Sequence, residues 1–268
     1  MFYYLTLGVI LKFIKMISIK STEEIDILRI GGAKLAKILD MVIARIEPGV
    51  KAIDLDSYAE ELILEAGGRP SFKGHEGFPA TLCVSVNEAV VHGVPHSDLI
   101  LKEGDIVGVD IGMQWRAEKG MYTDMARTVA VGAISKEGEK LIKITEKSFN
   151  KALKAVKPGA YVGDIGYVVQ KYVESHGFSV VRCLSGHGVG YKVHESPKIP
   201  NYGKKGTGEM LKAGMVLAIE PMVCAGDYEL ETLDDGWTAV SRDKCMTAHH
   251  ENTIFVTSRG AEILTKYE

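Results

Sequence analysis

The hydrophobic positions of the chain follow two periods, one typical of helices and one of strands. From residue 25 to residue 42, apolar side chains recur every three or four positions, which predicts a helix with one buried face. Ser21 and Glu24 precede this run at the spacing of a capping box. We expect the helix to end near Ile46, because Pro48-Gly49 interrupts the chain.

Three further helices and several short strands are predicted after this first helix. The helices run from Asp54 to Leu64, from Lys136 to Val156 after a capping Ser135, and from Asp164 to near Gly177. Short apolar and β-branched runs predict strands at residues 82–86 and 90–95, and around Asp110, Asp124, Glu220 and Glu251.

The chain also contains a weak internal repeat. Residues 211–220 match residues 101–110 at an offset of 110 (211 − 101), with Leu, Lys, Gly and a final acid in register. At the same offset, Pro158-Gly159, Asp164 and Gly177 match Pro48-Gly49, Asp54 and Gly67. One long offset indicates a duplicated half-domain rather than a solenoid. We therefore predict an α+β fold in which two related halves share a curved, mainly antiparallel sheet with helices over its outer face.

Asp110 is the polar exception within an apolar strand. Because side chains alternate between the faces of a strand, Asp110 should share one face with Gly108 and Gly112 and look into space that these glycines leave open. Asp124 lies in a run that could return antiparallel, with residues 114–120 as the hairpin loop. Two buried carboxylates cost several kcal/mol per ion unless a positive charge lies between them. Residues 106–112 contain no Lys or Arg, so a metal ion is a serious candidate.

Composition narrows the class of protein. The 268 residues are 46% hydrophobic and 25% charged, as expected for a globular chain with a buried core. A net charge of -3 gives no reason to expect nucleic-acid binding. The four cysteines show no Cys-x-x-Cys spacing, which favours a reducing cytoplasm over a disulfide scaffold.

The first fifteen residues differ from the rest of the chain. Residues 1–15 are aromatic and aliphatic, but they are shorter than the roughly 20 apolar residues that span a bilayer. They also lack the early basic region and the cleavage site of a secretory signal. Met16 stands directly before a good helix start. We expect residues 1–15 to be an extension outside the fold and residues 16–268 to form a single catalytic domain without a membrane anchor.

Five residues stand out as possible metal ligands. Taken alone, each acid could be an ordinary turn or sheet-edge residue, but together four carboxylates and a neutral imidazole carry a charge that two divalent cations would neutralise. Ligation rich in oxygen with one nitrogen suits Mn, Fe, Co or Zn. Two such ions can share a hydroxide and polarise a substrate carbonyl. The five are Asp110, Asp124, His187, Glu220 and Glu251.

Seven separated segments, in order, resemble the type I methionine aminopeptidases, which are M24 metallopeptidases of the pita-bread fold. These segments are residues 90–95, 109–112, 123–124, 186–190, 194–195, 219–222 and 250–253. The resemblance runs from about Met16 to the end of the chain. It implies a cytoplasmic, two-metal aminopeptidase that removes the initiator methionine from new chains whose second residue is small.

The resemblance also implies metal-binding roles for individual residues. Asp110 would chelate one ion, His187 and Glu220 would hold the other, and Asp124 and Glu251 would bridge both.

Catalytic and substrate-binding roles follow from the same resemblance. His194 would hydrogen-bond the scissile carbonyl, His92 would contact the reacting amide, and Glu220 would take the proton from the attacking water. A methionine pocket would be lined by Phe78, Cys83, Val193 and Trp237, with His75 at its edge. At most one of His249 and His250 can share the strand face of Glu251, and we assign neither a role.

The implied partners are nascent polypeptide N-termini, close to the ribosomal exit tunnel, with a monomeric enzyme acting on them. A proline-directed peptidase of the same fold is the first alternative, although such relatives usually carry a large N-terminal domain. A type II methionine aminopeptidase is disfavoured, because only 26 residues (220 − 194) separate His194 from Glu220. A catalytically inactive binding protein on this scaffold would have lost ligands, whereas this chain has all five.

Overall fold

A computed structural model of the chain describes residues 17–116 and 119–267. The predicted extension, residues 1–15, lies outside these ranges. Four helices are present among the described residues: α1 Thr22–Ile43, α2 Ala52–Glu65, α3 Lys136–Ala155 and α4 Val162–Glu174. The strands are β1 Gly68–Pro70, β2 Leu82–Val86, β3 Ala89–Val91, β4 Ile106–Trp115, β5 Met121–Ala130, β6 Ser179–Val180, β7 Ser185–Gly188, β8 Glu195–Pro200, β9 Val216–Ile219, β10 Met222–Cys224, β11 Leu230–Thr232, β12 Ala239–Ser241, β13 Thr247–His249, β14 Glu251–Val256 and β15 Ala261–Ile263.

The predicted caps of α1 and α3 are confirmed. The Ser21 hydroxyl accepts a bond from the Glu24 N–H at 3.3 Å, and the Glu24 carboxylate accepts one from the Ser21 N–H at 2.8 Å. The Ser135 hydroxyl accepts a bond from the N–H of Gly138 at 3.1 Å. α1 ends at Ile43, earlier than expected, because bonds to carbonyls three residues back tighten the chain there.

α2 and α4 begin two residues before the aspartates that were predicted to start them. The N–H of Ala52 bonds to the carbonyl of Leu99 at 2.9 Å, and the N–H of Val162 bonds to that of Glu209 at 3.0 Å. These long-range bonds set the first residue of each helix. The two aspartates, Asp54 and Asp164, therefore lie inside the first turn.

Nine strands form one sheet in the order β1-β4-β5-β14-β9-β7-β8, with β2 on β4 and β15 on β14, and every pairing is antiparallel. One core lies between α1, α2 and β4 and includes Leu39 and Val109. A second core lies between α3, α4 and β9 and includes Phe149 and Leu217. The helices thus cover one face of the sheet, and the alternate residues of its strands face the other way.

The two halves are related as the repeat predicts. Three pairs of glycines at the offset of 110 all have positive φ: 95° and 84°, 79° and 84°, and 93° and 93°. An isolated bridge joins Lys51 to Ile100 in the first half, and another joins Tyr161 to Met210 in the second, again 110 residues on. The three glycine pairs are Gly49 and Gly159, Gly67 and Gly177, and Gly104 and Gly214.

Two strand ends differ from the prediction. β4 continues to Trp115, so Gln114 belongs to a strand and not to the hairpin loop, because it pairs with β5 on one side and β1 on the other. β3 stops at Val91 and not at Pro95, because His92 takes a left-handed conformation with φ 58°.

None of the helices within residues 17–116 and 119–267 has the length and apolar character that a membrane span requires.

Candidate metal centre

Four strands, and the residue directly after a fifth, bring one polar side chain each to the same face of the sheet. Asp110 on β4 lies opposite Ala126, and Asp124 on β5 lies opposite Gly112, so both acids point to one side. Glu251 on β14 also lies opposite Ala126. His187 on β7 lies opposite Ala218 on β9, two residues before Glu220, so these two join the same face. The structure therefore brings together the five predicted ligands, Asp110, Asp124, His187, Glu220 and Glu251.

Gly112 serves a different purpose from the one its sequence suggests. A Cβ at this position would lie 2.0 Å from the Ser71 hydroxyl and 2.9 Å from the Phe72 ring. Asp110 faces the open cavity, as expected, but the space beside Gly112 is filled by these two residues, so this glycine does not provide it. Glycine is needed here so that the segment after β1 can approach the strand.

The cavity above this face has a volume of about 930 Å³. Its wall includes most of the predicted pocket residues, and Cys83 lies directly opposite Asp110 on the paired strands β2 and β4. Phe72, which sequence reasoning missed, also lines it. Val193 is buried behind the wall in an apolar cluster, and its side chain does not line the cavity. The predicted residues that do line it are His75, Phe78, Cys83, His92, His194 and Trp237.

Enclosure makes negative charge costly at this site. Burial raises the pKa of Asp110 to about 6 and that of Glu220 to about 8. Burial, reinforced by the neighbouring carboxylates, holds the pKa of Asp124 and of Glu251 well above the usual range. A cation among these groups would reverse the effect, because an opposite charge favours the ionised carboxylate.

The imidazoles at the site are kept neutral. Burial, together with the nearby His194 ring, lowers the pKa of His187 to about 3. A neutral imidazole has a free lone pair and is the form that binds a metal. Enclosure in the cavity also lowers the pKa of His92 and of His194.

Several buried polar atoms on this face have no hydrogen-bond partner within the described residues. They include one carboxylate oxygen each of Asp110, Asp124 and Glu251, and the Nε2 of His249. Buried polar atoms are normally paired, so clustered exceptions point to a missing partner. Ligand atoms of Asp124, His187 and Glu251 lie within 4.8 Å of one another, and so do those of Asp110, His249 and Glu251. The donor set therefore fits two adjacent cations that share Glu251.

His249 is a residue of this site that sequence reasoning left without a role. Its Nε2 lies 3.6 Å from a carboxylate oxygen of Glu220 and 3.7 Å from one of Glu251. The two-residue step from His249 to Glu251 was the available signal, since it puts both side chains on one face. His250 points the other way, and its ring packs 5.2 Å from that of Phe149.

The loop that carries His194 is anchored by a buried ion pair. The Lys20 ammonium lies 2.7 Å from a carboxylate oxygen of Glu195, and the two side chains are only 1% and 10% exposed. Ser18 donates to the same oxygen, and the backbone N–H of Lys192 donates to the other at 3.0 Å. The His194 ring then meets the His187 ring edge-on, with their centroids 4.5 Å apart.

Comparison with known proteins gives a consistent result. Residues 26–258 match metallopeptidase family M24. A methionine aminopeptidase from Clostridium perfringens is 50% identical over 250 residues, which cover 93% of this chain and 99% of the relative. The crystal structure of a methionine aminopeptidase from Thermotoga maritima superimposes with a TM-score of 0.91 at 46% identity, covering 94% of this chain and 100% of that one. A prolidase from Pyrococcus furiosus matches with a TM-score of 0.75 at 25% identity, covering 93% of this chain but only 66% of the prolidase.

Proposed function

The chain belongs to metallopeptidase family M24, and from this premise we propose that it is a methionine aminopeptidase acting on new proteins whose second residue is small. The observation that carries the proposal is the convergence of four carboxylates and a neutral imidazole on one sheet face, with buried oxygens among them that have no partner in the described part of the chain. Such a site suits two divalent cations and hydrolysis of a peptide bond.

The residues present fit this metal pair. Asp110 would hold one ion, His187 and Glu220 would hold the other, and Asp124 and Glu251 would be shared. We propose Co, Mn, Fe or Zn, because carboxylate and imidazole ligands suit these ions. When bound, the ions would polarise the substrate carbonyl and lower the pKa of a bound water.

The side chains around the cavity would carry out the remaining steps. Glu220 would accept the proton of the attacking water, because its carboxylate lines the cavity beside the proposed ions, which would keep it ionised and able to take a proton. His194 would donate a hydrogen bond to the scissile carbonyl, and His92 would contact the reacting amide and assist departure of the nitrogen. Positioned groups of this kind typically contribute about 10²- to 10⁴-fold in rate.

The apolar end of the cavity would bind the methionine side chain. Phe78 and Trp237 meet edge to face with ring centroids 5.3 Å apart, and Cys83 lies beside them in the same cluster. An unbranched thioether packs well against such rings. His75 stands at the edge, with its ring 5.4 Å from that of His194. Val193 would support the pocket from behind.

The cellular setting is proposed on the same basis. We infer that residues 16–268 act as a single catalytic domain, as a monomer in the cytoplasm, on nascent N-termini close to the ribosome. No nucleic-acid contact is part of the proposed reaction.

Release of methionine from a Met-Ala-Ser peptide, in the presence of Mn, Fe or Co, tests the activity. Asp110→Ala should abolish release, because it removes one of the proposed ligands of the ion pair and so weakens metal binding. The matched control is Asp98→Ala, which removes an exposed aspartate from a turn. Cleavage that persists after complete removal of metal would reject the mechanism.

The same assay addresses the alternatives. The likeness to a prolidase favours a proline-directed peptidase as the second candidate, and faster cleavage of Ala-Pro than of Met-Ala peptides would support it. A binding protein without activity would contain no metal after purification and would show no activation by added metal.

A further inference from the structure

We propose that His249 is a sixth metal ligand, so that each of the two ions is bound by one imidazole. This inference rests on the proposed metal-dependent function and adds a second nitrogen donor to the five residues already assigned. It assigns His249 to the ion that Asp110 would hold.

The position of the His249 ring supports ligation. The residue is only 3% exposed, and its Nε2 has no hydrogen-bond partner among the described residues. A ring nitrogen of His249 lies within 4.8 Å of ligand atoms of Asp110 and Glu251. Its separations of 3.6 Å from Glu220 and 3.7 Å from Glu251 are too long for hydrogen bonds.

The 3.7 Å separation from Glu251, the carboxylate that the two ions would share, suits two ligands on one ion. With metal–ligand bonds of about 2.1 Å, two ligand atoms lie about 3.0 Å apart at a right angle and about 3.6 Å apart at 120°. His187, a ligand in the proposed set, lies at comparable distances from its own neighbours, 3.6 Å from Glu220 and 3.9 Å from Asp124. The Glu220 carboxylate thus lies between two imidazoles at equal range.

The backbone holds the His249 side chain in this place. Its N–H donates to the Thr128 hydroxyl at 2.8 Å, and its carbonyl accepts a bond from the same hydroxyl at 2.9 Å. Its strand pairs with Met222 on β10. The ring is therefore positioned by two strands and by a side chain of β5, which a ligand requires in order to keep its geometry.

A second nitrogen would change the preference of the site among metals. Late first-row ions such as Co and Zn bind imidazole more strongly than Mn does. Removing one imidazole should therefore weaken Co binding more than Mn binding. We expect His249→Gln to lower the affinity of one of two sites for Co by at least about ten-fold, and for Mn by less.

The test combines calorimetric titration with Co and Mn, X-ray absorption of the Co-loaded protein and a metal-loaded crystal structure. The wild-type protein should show about one imidazole per Co ion, and His249→Gln about one for every two ions, because only His187 remains. In the crystal, His249 Nε2 should lie about 2.0–2.1 Å from an ion. The matched control is His250→Gln, which changes the adjacent histidine on the opposite face and should leave both affinities unchanged.

The possible outcomes separate a failure of the His249 inference from a failure of the proposed function. If the wild-type protein binds two ions but His249 Nε2 lies at hydrogen-bond distance from a carboxylate and away from both metals, the inference is wrong and the proposed function stands. Equal imidazole counts in the wild-type protein and in His249→Gln would overturn it as well. If the wild-type protein binds no metal at all, the proposed function itself fails. The wild-type crystal gives this answer even if a variant folds poorly.

Discussion

At the scale of single residues, burial close to one another raises the free energy of ionising the carboxylates on the inner face of the sheet. Burial raises the pKa of Asp110 from its ordinary 3.8 to about 6 and that of Glu220 from 4.5 to about 8. Metal-free protein therefore holds protons here that its unfolded chain releases. The contribution of the two groups to folding stability is fully present below about pH 4 and is lost as the pH rises through 6 and 8.

We accordingly expect the apparent melting temperature of metal-free protein to fall between pH 5 and pH 8 by more than that of an Asp110→Asn, Glu220→Gln double variant, since neutral amides do not titrate. Thermal unfolding followed by circular dichroism in the presence of a chelator measures this. A pH dependence that the double variant shares in full would assign the effect to other groups.

His194 tests catalysis separately from metal binding. Because this ring faces the cavity and is held by its loop, His194→Ala should reduce kcat by about 10²-fold or more while the metal content stays at the wild-type level. Elemental analysis and peptide kinetics on the same preparation make the comparison. Loss of metal together with activity would show that His194 also supports the centre.

Strand alternation pointed to Asp110 and Asp124, the internal repeat added Glu220 and its partner acid Glu251, and the resemblance to the known family supplied the ligand roles of these four and of His187. Alternation could not settle His249, since the sequence does not show whether the chain stays extended through His250. Nor could it place Val193, which lies in an irregular loop where Gly190 has a φ of 140° and no period relates one side chain to the next.

At the scale of elements, the Lys20–Glu195 pair joins the segment before α1 to the loop that carries His194. Lys20→Met would leave the Glu195 carboxylate buried without its cation, and breaking a buried pair typically costs about 3–5 kcal/mol. We expect a loss at the lower end of this range, because Ser18 and two backbone N–H groups still donate to Glu195. We also expect an increase in KM as the loop loosens.

Chemical denaturation and peptide kinetics measure both effects. The control is Arg29→Met, which breaks the pair of Arg29 and Glu262, whose side chains are 43% and 30% exposed, and should cost less than about 1 kcal/mol. Equal losses in the two variants would mean that the Lys20 pair contributes no more than a surface contact.

The hydrophobic period was enough to predict that the four helices exist, but it did not predict several of the residues at which helices and strands begin or end. The first residues of α2 and α4 are set by backbone bonds to segments about 47 residues away (99 − 52 and 209 − 162), which no local pattern contains. β4 extends to Trp115 for the same reason, because its partner β1 lies far away in sequence. Local capping signals succeeded at α1 and α3, where the cap itself makes the first bonds.

At the scale of the whole molecule, the proposed centre joins the two halves. The first half supplies Asp110 and Asp124, and the second supplies His187, Glu220 and Glu251.

Ions bound only by the folded protein stabilise it by about 2.7 kcal/mol at a concentration one hundred times Kd. Adding Co or Mn at pH 7 should therefore raise the melting temperature by several degrees, and Asp110→Ala should remove most of the shift. Scanning calorimetry with matched chelator blanks makes the measurement, and a melting temperature indifferent to metal would contradict the proposed site.

The position of the proposed centre between the two repeats has a consequence for how the chain could evolve by duplication. One repeat alone supplies only part of the ligand set. A symmetric dimer of such a unit would have to bind the ion pair with the same residue types from both subunits. Fusion in one polypeptide lets each copy diverge. In the present chain the two repeats contribute different residue types, with aspartates from the first facing glutamates and a histidine from the second.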